Sequence, residues 1–186
     1  MLERGKEFNF KMTYFQELQK SMKYLSKSKK VVFIGQAVKF PGTAMYNTLV
    51  GIDKKKLIEL PVAEEMQMGL SLGLSIAGLI PISIYPRWNF LILGANQLIN
   101  HIDKIKELSN NQFKTHLIIR TAVGSKIPLD PQSQHKGDFT NFFKGICKNI
   151  RIIKLQSKKN IFREYKKALN FKGISLMVEY GDNYNK

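Results

Sequence analysis

Residues 59 to 81 read ELPVAEEMQMGLSLGLSIAGLIP, with two adjacent carboxylates, Glu64 and Glu65, at the mouth of a long uncharged run. A short apolar segment ending at Leu60 suits a buried strand, Pro61 opens a turn, and a helix is expected from about Glu64 to Ala77, ended by Gly78. Both carboxylates then fall in the first turn. There the helix dipole and the free backbone amides stabilise a negative charge by about 0.3–1 kcal/mol. That accounts for one glutamate better than for two. Adjacent helical residues point about 100° apart, so one can face solvent while the other enters a crevice at the carboxyl end of the preceding strand. In open α/β sheets that edge is where ligands bind.

Within the same helix Gly69, Gly73 and Ala77 recur at every fourth residue and leave one face nearly without side chains. Glycine costs about 1 kcal/mol in a helix interior, so two of them ask for a reason. A tight crossing, between subunits for instance, supplies one; ordinary packing against the sheet supplies another. Met66 to Pro86 carries no formal charge, a length sufficient to cross a bilayer. Gly78 and Pro81 interrupt it, and Gln67, Ser71, Ser75 and Ser83 dilute it, so a buried helix-turn-strand is expected rather than a membrane span.

Outward from this stretch, short β-rich apolar runs alternate with segments of helical period. Expected strands cover 30 to 35, 56 to 60, 81 to 85, 115 to 121, 150 to 156 and 174 to 180. Tyr14, Leu18, Met22 and Leu25 mark one face of a first helix, NFLILGANQLINHIDKIKEL (89 to 108) reads as another, and further helices fit 138 to 147 and 160 to 170. The alternation predicts an α/β fold, a three-layer sandwich whose mainly parallel sheet has about six strands. Residues 1 to 11 read as a polar extension and 12 to 186 as one domain, since a chain of 186 residues suits a single core.

The single cysteine, Cys147, permits no internal disulfide, and no apolar leader opens the chain, so a reducing, cytoplasmic setting is expected. A formal charge of +16 would attract nucleic acid, an anionic membrane or an acidic partner. The excess lies in short blocks at 26 to 30, 53 to 56 and 158 to 167, without the interleaved aromatics of an RNA-binding signature, and reads first as solvated surface. A basic, non-catalytic nucleic-acid-binding α/β domain is the alternative. His101 and His116 read as structural, because neither has a neighbour at metal-ligand spacing, and no protein metal site is expected.

From Met12 onward the chain resembles the pyrimidine-binding domain of thiamine-diphosphate enzymes, the transketolase-like central domain, and within them the beta subunits of pyruvate and branched-chain 2-oxoacid dehydrogenases. MTYFQELQKSM is similar to the opening helix, the 59 to 82 stretch to the acidic residue with its glycine-spaced helix and AGL.P, NFLILGANQLINH to the next helix, THLIIR to the following strand, and QSQHKGDF to a loop that carries an active-site histidine. The resemblance implies a thiamine-diphosphate-binding fold in which Glu64 holds the aminopyrimidine nitrogen and favours the imino tautomer, whose nitrogen deprotonates the thiazolium carbon to the ylid. Glu65 would be the helix-start residue. Phe90 matches the aromatic that packs on the pyrimidine, while His135, in the polar segment PLDPQSQHKGDF, matches an acid or substrate ligand. A core Phe and a solvated loop histidine are the plain readings of the same two residues.

The chain departs from the pattern in three places. Gln36 stands where these beta subunits carry a glutamate after the strand's glycine, and an amide cannot exchange a proton as a carboxylate does. The sequence ends after LMVEYGDN, where the family continues into a C-terminal domain. No Gly-Asp-Gly motif is present; KGDF and YGDN read as turns. The resemblance therefore implies an alpha-like partner chain that carries this motif and holds most of the Mg²⁺ and the diphosphate, in a two-plus-two hetero-oligomer. The substrate class it implies is a 2-oxoacid or a ketose.

Overall fold

The computed structural model describes residues 12–127 and 130–186. The polar extension expected at 1–11 lies outside the described residues, as do Pro128 and Leu129 in the loop that leads to His135.

The apolar runs form six strands: β1 (Val31–Gly35), β2 (Leu57–Glu59), β3 (Ile80–Ile84), β4 (Leu117–Val123), β5 (Ile150–Lys154) and β6 (Ile174–Tyr180). Each lies within two residues of its expected place. They build one sheet in the order β2-β1-β3-β4-β6-β5, with every pair parallel. From β1 the chain moves to one side, to β2, and from β3 to the other, to β4. Strand order therefore reverses between β1 and β3, and the loops beyond their carboxyl ends diverge to leave a crevice.

Helices α1 (Tyr14–Ser26), α2 (Ala44–Asn47), α3 (Glu64–Ile76), α4 (Trp88–Leu91), α5 (Ile105–Leu108), α6 (Thr140–Ile146) and α7 (Lys158–Asn170) complete the layers. Thr13 caps α1 in a reciprocal box with Gln16. Helices α1 and α7 cover one face of the sheet, where Leu18, Met22 and Tyr165 meet Phe33, Ile82, Ile118 and Met177. On the other face Met68, Trp88, Leu98 and Phe143 meet Leu117, Ile119, Leu176 and Val178. Burial on both faces is why the central strands read as apolar runs rather than alternating ones, while the edge strands β2 and β5 are only half-buried.

One charged pair interrupts this core. Arg120 on β4 and Glu179 on β6 are fully buried and meet fork to fork, Nε to Oε1 at 2.8 Å and Nη2 to Oε2 at 3.0 Å. Arg120 Nη1 donates to Thr48 Oγ1 at 3.2 Å, and the hydroxyls of Tyr165 and Tyr184 each donate to Glu179. Burial and then the Glu179 charge push both tyrosine pKa values well above the ordinary range, so these hydroxyls stay protonated and remain donors.

Helix α3 differs from ordinary packing against the sheet. Its buried residues are mostly polar: Glu64, Gln67, Ser71 and Ser75, with Met68 the apolar exception. Gln67 Nε2 donates to Ser83 Oγ at 3.1 Å and to the Ile84 carbonyl at 2.9 Å, Ser71 Oγ donates to the Gln67 carbonyl at 2.7 Å, and Ser75 Oγ accepts from the His116 amide at 2.6 Å. The residues that dilute the uncharged run are thus the ones that face the sheet. Met66, Leu70 and Ile76 are exposed instead. A Cβ at Gly73 would meet nothing within 4 Å, so the small-residue face points away from the sheet. At its end Gly78 takes φ +90, which stops the helix before β3.

The helix expected at 89 to 108 is broken. Helix α4 passes into a tight turn at Ile92–Gly94, a widened π turn at Gln97–Ile102 and then α5. Close packing under α3 explains the first break: a Cβ at Gly94 would lie 3.2 Å from the Glu64 carbonyl and 3.5 Å from Met68 Cβ. Among the described residues no helix is long and apolar enough to cross a membrane.

Candidate functional site

At the switch between β1 and β3, the loop after β1, the start of α3 and the segment after β3 lie beyond the carboxyl ends of the strands. Adjacent positions at the start of α3 diverge as helical geometry requires: Glu64 is 4% exposed, whereas Glu65 is in solvent and accepts from Asn96 Nδ2 at 3.1 Å and Gln97 Nε2 at 3.4 Å. Ala63 provides no side-chain cap for α3, so the two first-turn carboxylates supply the compensation of its free amides.

Glu64 Oε1 accepts from Gln36 Nε2 at 2.9 Å. Among the described residues no donor reaches Oε2. The Glu64 carbonyl accepts from Tyr85 Oη at 3.3 Å, and burial followed by the Glu64 charge raises the Tyr85 pKa, keeping that hydroxyl protonated. Glu64 is therefore fixed through its backbone and one oxygen while the other oxygen remains available.

Glu59, at the end of β2, was not singled out by the sequence. Its carboxylate accepts from three successive amides, Ala37 at 2.6 Å, Val38 at 2.8 Å and Lys39 at 2.7 Å. The loop after Gln36 is thereby folded back onto the neighbouring strand, with Ala37 at φ +50. No spacing rule announces such a bond, because its partners are backbone groups twenty residues away.

Phe90 and His135 come together as a second pair. Their rings lie 5.1 Å apart, tilted by 48°, and both side chains are half-buried. His135 Nδ1 is buried without a partner among the described residues. The loop around His135 is braced from α4 and its approach: Arg87 Nη1 donates to the His135 carbonyl at 3.1 Å, Asn89 Nδ2 to the Gln134 carbonyl at 2.9 Å, and the Gly137 amide to Asn89 Oδ1 at 3.3 Å. The structure thus joins Gln36 with Glu64 and Phe90 with His135; no hydrogen bond links the two pairs. Arg87 did carry a signal in the sequence, as the first formal charge after the uncharged run that follows Glu65.

His101 is exposed and His116 packs at the other end of the sheet, where its Nε2 lies 2.9 Å from the Ala168 carbonyl. Among the described residues no cluster of His, Cys, Asp or Glu is placed to hold a metal ion.

No protein-family model matches the chain. It is 24% identical over 176 residues to the pyruvate dehydrogenase E1 component subunit beta of Chlorokybus atmophyticus, covering 92% of this chain and 51% of that protein. With the mitochondrial pyruvate dehydrogenase E1 component subunit beta of Ascaris suum the identity is 28% over 134 residues, 69% of this chain and 36% of that one. The 2-oxoisovalerate dehydrogenase subunit beta of Bacillus subtilis is 23% identical over 121 residues, 62% of this chain and 37% of that protein. Among solved structures, a split gene transketolase described as an inactive beta4 tetramer superposes with TM-score 0.68 at 16% identity, over 90% of this chain and 51% of that one. The chain spans about half the length of the first of these relatives and less of the others.

Proposed function

We propose, from the transketolase-like pyrimidine-binding fold that this chain carries and its similarity to beta subunits of 2-oxoacid dehydrogenases, that it is the pyrimidine-binding subunit of a two-chain thiamine-diphosphate enzyme. The single observation that carries this reading is the buried Glu64 carboxylate at the switch-point crevice, held on Oε1 by Gln36 and free on Oε2.

The residues fit an aminopyrimidine. In a residue that is buried as a whole, a carboxylate oxygen not engaged by the protein matches a ring nitrogen that shares a proton, and a half-buried aromatic, Phe90, offers a flat face worth about 0.5–1.5 kcal/mol beyond its burial. When bound, thiamine diphosphate supplies a carbon nucleophile for a substrate carbonyl. Glu64 holds a proton between Oε2 and the ring, Gln36 keeps Oε1 in place without accepting that proton, and Tyr85 anchors the backbone at the same residue. His135, with Nδ1 unengaged, serves as acid or substrate ligand on the Phe90 side.

The diphosphate and Mg²⁺ fall to an alpha-like chain carrying Gly-Asp-Gly, and the apolar outer face of α3, with Met66, Leu70 and Ile76, suits burial against it in a two-plus-two assembly. Alone, this chain would be inactive. The substrate is a 2-oxoacid or a ketose, and one buried thiol, Cys147, suits a cytoplasmic setting.

The test is to isolate the chain with whatever binds it in near-equal amount and compare the native complex with Glu64→Gln. A companion with Gly-Asp-Gly, bound thiamine diphosphate and loss of nearly all turnover in Glu64→Gln are expected. Full turnover in an assembled Glu64→Gln complex removes Glu64 from the mechanism. Recovery of nuclease-sensitive nucleic acid alone would favour the basic-domain reading, for which the groove between α1 and α7, with Lys20, Lys23, Lys27 and Phe162, is the obvious surface.

A further inference from the structure

The amino ends of β1, β3, β4 and β6 lie side by side, at the edge of the sheet opposite the Glu64 crevice. A cavity of about 580 Å³ opens there, between the end of α3, α5 and the loop that leads from α5 into β4. Lys30, Lys106, Lys114 and Lys172 line it, each from a different segment of the chain, and none of its described lining residues is acidic. Among the described residues none of the four makes an ion pair. Helices α3, α5 and α7 end near this edge, where cations offset helix dipoles. The carbonyls at the ends of α3 and α5 nevertheless already accept from the amides of Ala77, Gly78 and Leu79, and of Ser109, Asn110 and Asn111, so they do not need the lysines as donors.

Two further residues of the wall point to a ligand. Thr115 is 4% exposed, and its Oγ1 is buried without a partner among the described residues. A buried hydroxyl left unpaired costs free energy that an incoming acceptor would recover. Its neighbour His116 is already engaged, with its amide on Ser75 Oγ and its Nε2 2.9 Å from the Ala168 carbonyl, and burial lowers its pKa, so it is a neutral part of the wall rather than a fifth cation. Phe113 is 45% exposed on a loop that is already set: the Asn111 amide donates to the Lys106 carbonyl at 2.7 Å and the Phe113 amide to Ser109 Oγ at 3.2 Å. A flat apolar ring among unpaired ammonium groups suits a ligand that carries both a planar ring and phosphates. The volume is that of a small-molecule site.

We propose that this cavity binds a nucleotide, with its phosphates among the four lysines, Thr115 Oγ1 as a further donor and its base on the Phe113 ring. The site goes beyond the thiamine reading and does not depend on it, because it lies at the other end of the sheet from the proposed cofactor crevice. Helix α3 spans the two, with Glu64 at its start and Ser75, which lines the cavity, near its end.

The experiment titrates the full chain with ADP, with pyrophosphate, with adenosine and with a single-stranded oligonucleotide, followed by NMR shifts of the Gly78, Asn111, Thr115 and His116 amides. Saturable shifts with ADP are expected, with affinity about tenfold or more weaker for pyrophosphate and no saturation with adenosine. Phe113→Ala should bring ADP down to the pyrophosphate level and leave pyrophosphate unchanged. Thr115→Val loses no hydrogen bond within the chain, so it should melt as the native chain does and yet bind ADP about fivefold more weakly. Lys114→Gln with Lys172→Gln should weaken ADP and pyrophosphate alike, whereas Lys20→Gln with Lys23→Gln, which removes the same charge from α1, should weaken neither. Equal losses in the two lysine pairs would mean attraction by net charge alone and overturn the proposal. Pyrophosphate binding as tightly as ADP, or unchanged ADP affinity in Phe113→Ala or in Thr115→Val, overturns it as well. So does an oligonucleotide that binds these amides more tightly than ADP, which would make the edge a nucleic-acid surface. Failure of the thiamine reading has a different signature, full turnover in Glu64→Gln with ADP binding intact.

Discussion

Gln36 Nε2 stands 2.9 Å from Glu64 Oε1 and donates to it, so the buried carboxylate of α3 is met by an amide rather than by a second acid. Two carboxylates at that distance cannot both ionise, and one would retain a proton. With the amide, Glu64 keeps a fixed partner whose state does not change with pH.

Replacing that amide tests the point. Gln36→Glu should match the native chain in stability at acid pH and fall below it as the pH rises, because the upper pKa of the pair lies above its unfolded value and the bound proton is lost on the way to neutrality. Each pKa unit of elevation corresponds to about 1.4 kcal/mol, and each kcal/mol to about 2–4 °C in melting temperature for a chain of this size. A constant difference in melting temperature from pH 4 to pH 8 would contradict it.

The fork between Arg120 and Glu179 predicts a strongly non-additive pair. Arg120→Met leaves the Glu179 carboxyl without its counter-charge in a dry core, and should cost about 3–5 kcal/mol. Adding Glu179→Leu should return much of that loss. Chemical denaturation of the two single variants and the double variant measures the coupling; a double variant as unstable as the sum of both singles refutes it.

Leu70 lies on the outer face of α3 and is 40% exposed. Leu70→Glu should change the stability of the isolated chain by no more than about 0.5 kcal/mol while abolishing recovery of a partner chain. A variant that fails to fold, or one that still retains the partner, would mean the exposed face has another purpose.

His116 gives a pH dependence of the opposite sense to Gln36→Glu. Burial lowers its pKa, against an opposing hydrogen bond to the Ala168 carbonyl, so the folded chain binds a proton there less readily than the unfolded chain. Stability should fall as the pH drops below the unfolded histidine value, through the lowered folded one. His116→Gln keeps a donor for Ala168, and urea midpoints should then lose that part of the dependence between pH 7 and pH 5.

Much of the fold was legible because the four central strands are buried on both faces. Val31 to Gly35, Ile80 to Ile84 and Ile174 to Tyr180 are runs that no amphipathic element produces, and their alternation with helical segments leaves few arrangements open. Of the candidate site, the divergence of Glu64 and Glu65 was legible, because adjacent positions in a helix point about 100° apart. Glu59 was not, since its bonds to the amides of Ala37, Val38 and Lys39 depend on β2 lying beside β1, a long-range fact. The 89 to 108 segment kept its apolar period while the backbone under it changed pitch, because Gly94 had to fit beneath the start of α3. Periodicity records which side of a segment is wet, not the pitch of its backbone.

Apolar contacts let one element slide over another at little cost, whereas hydrogen bonds lose their strength within a few tenths of an ångström and a few tens of degrees. Gln67 grips Ser83 and the Ile84 carbonyl less than one turn after Glu64, and Ser71 bonds Ser83 at 2.9 Å from the next turn. The polar underside of α3 therefore works as an indexing pin. It sets the rotation and height of the helix above β3, and with them the direction in which the Glu64 carboxylate is aimed.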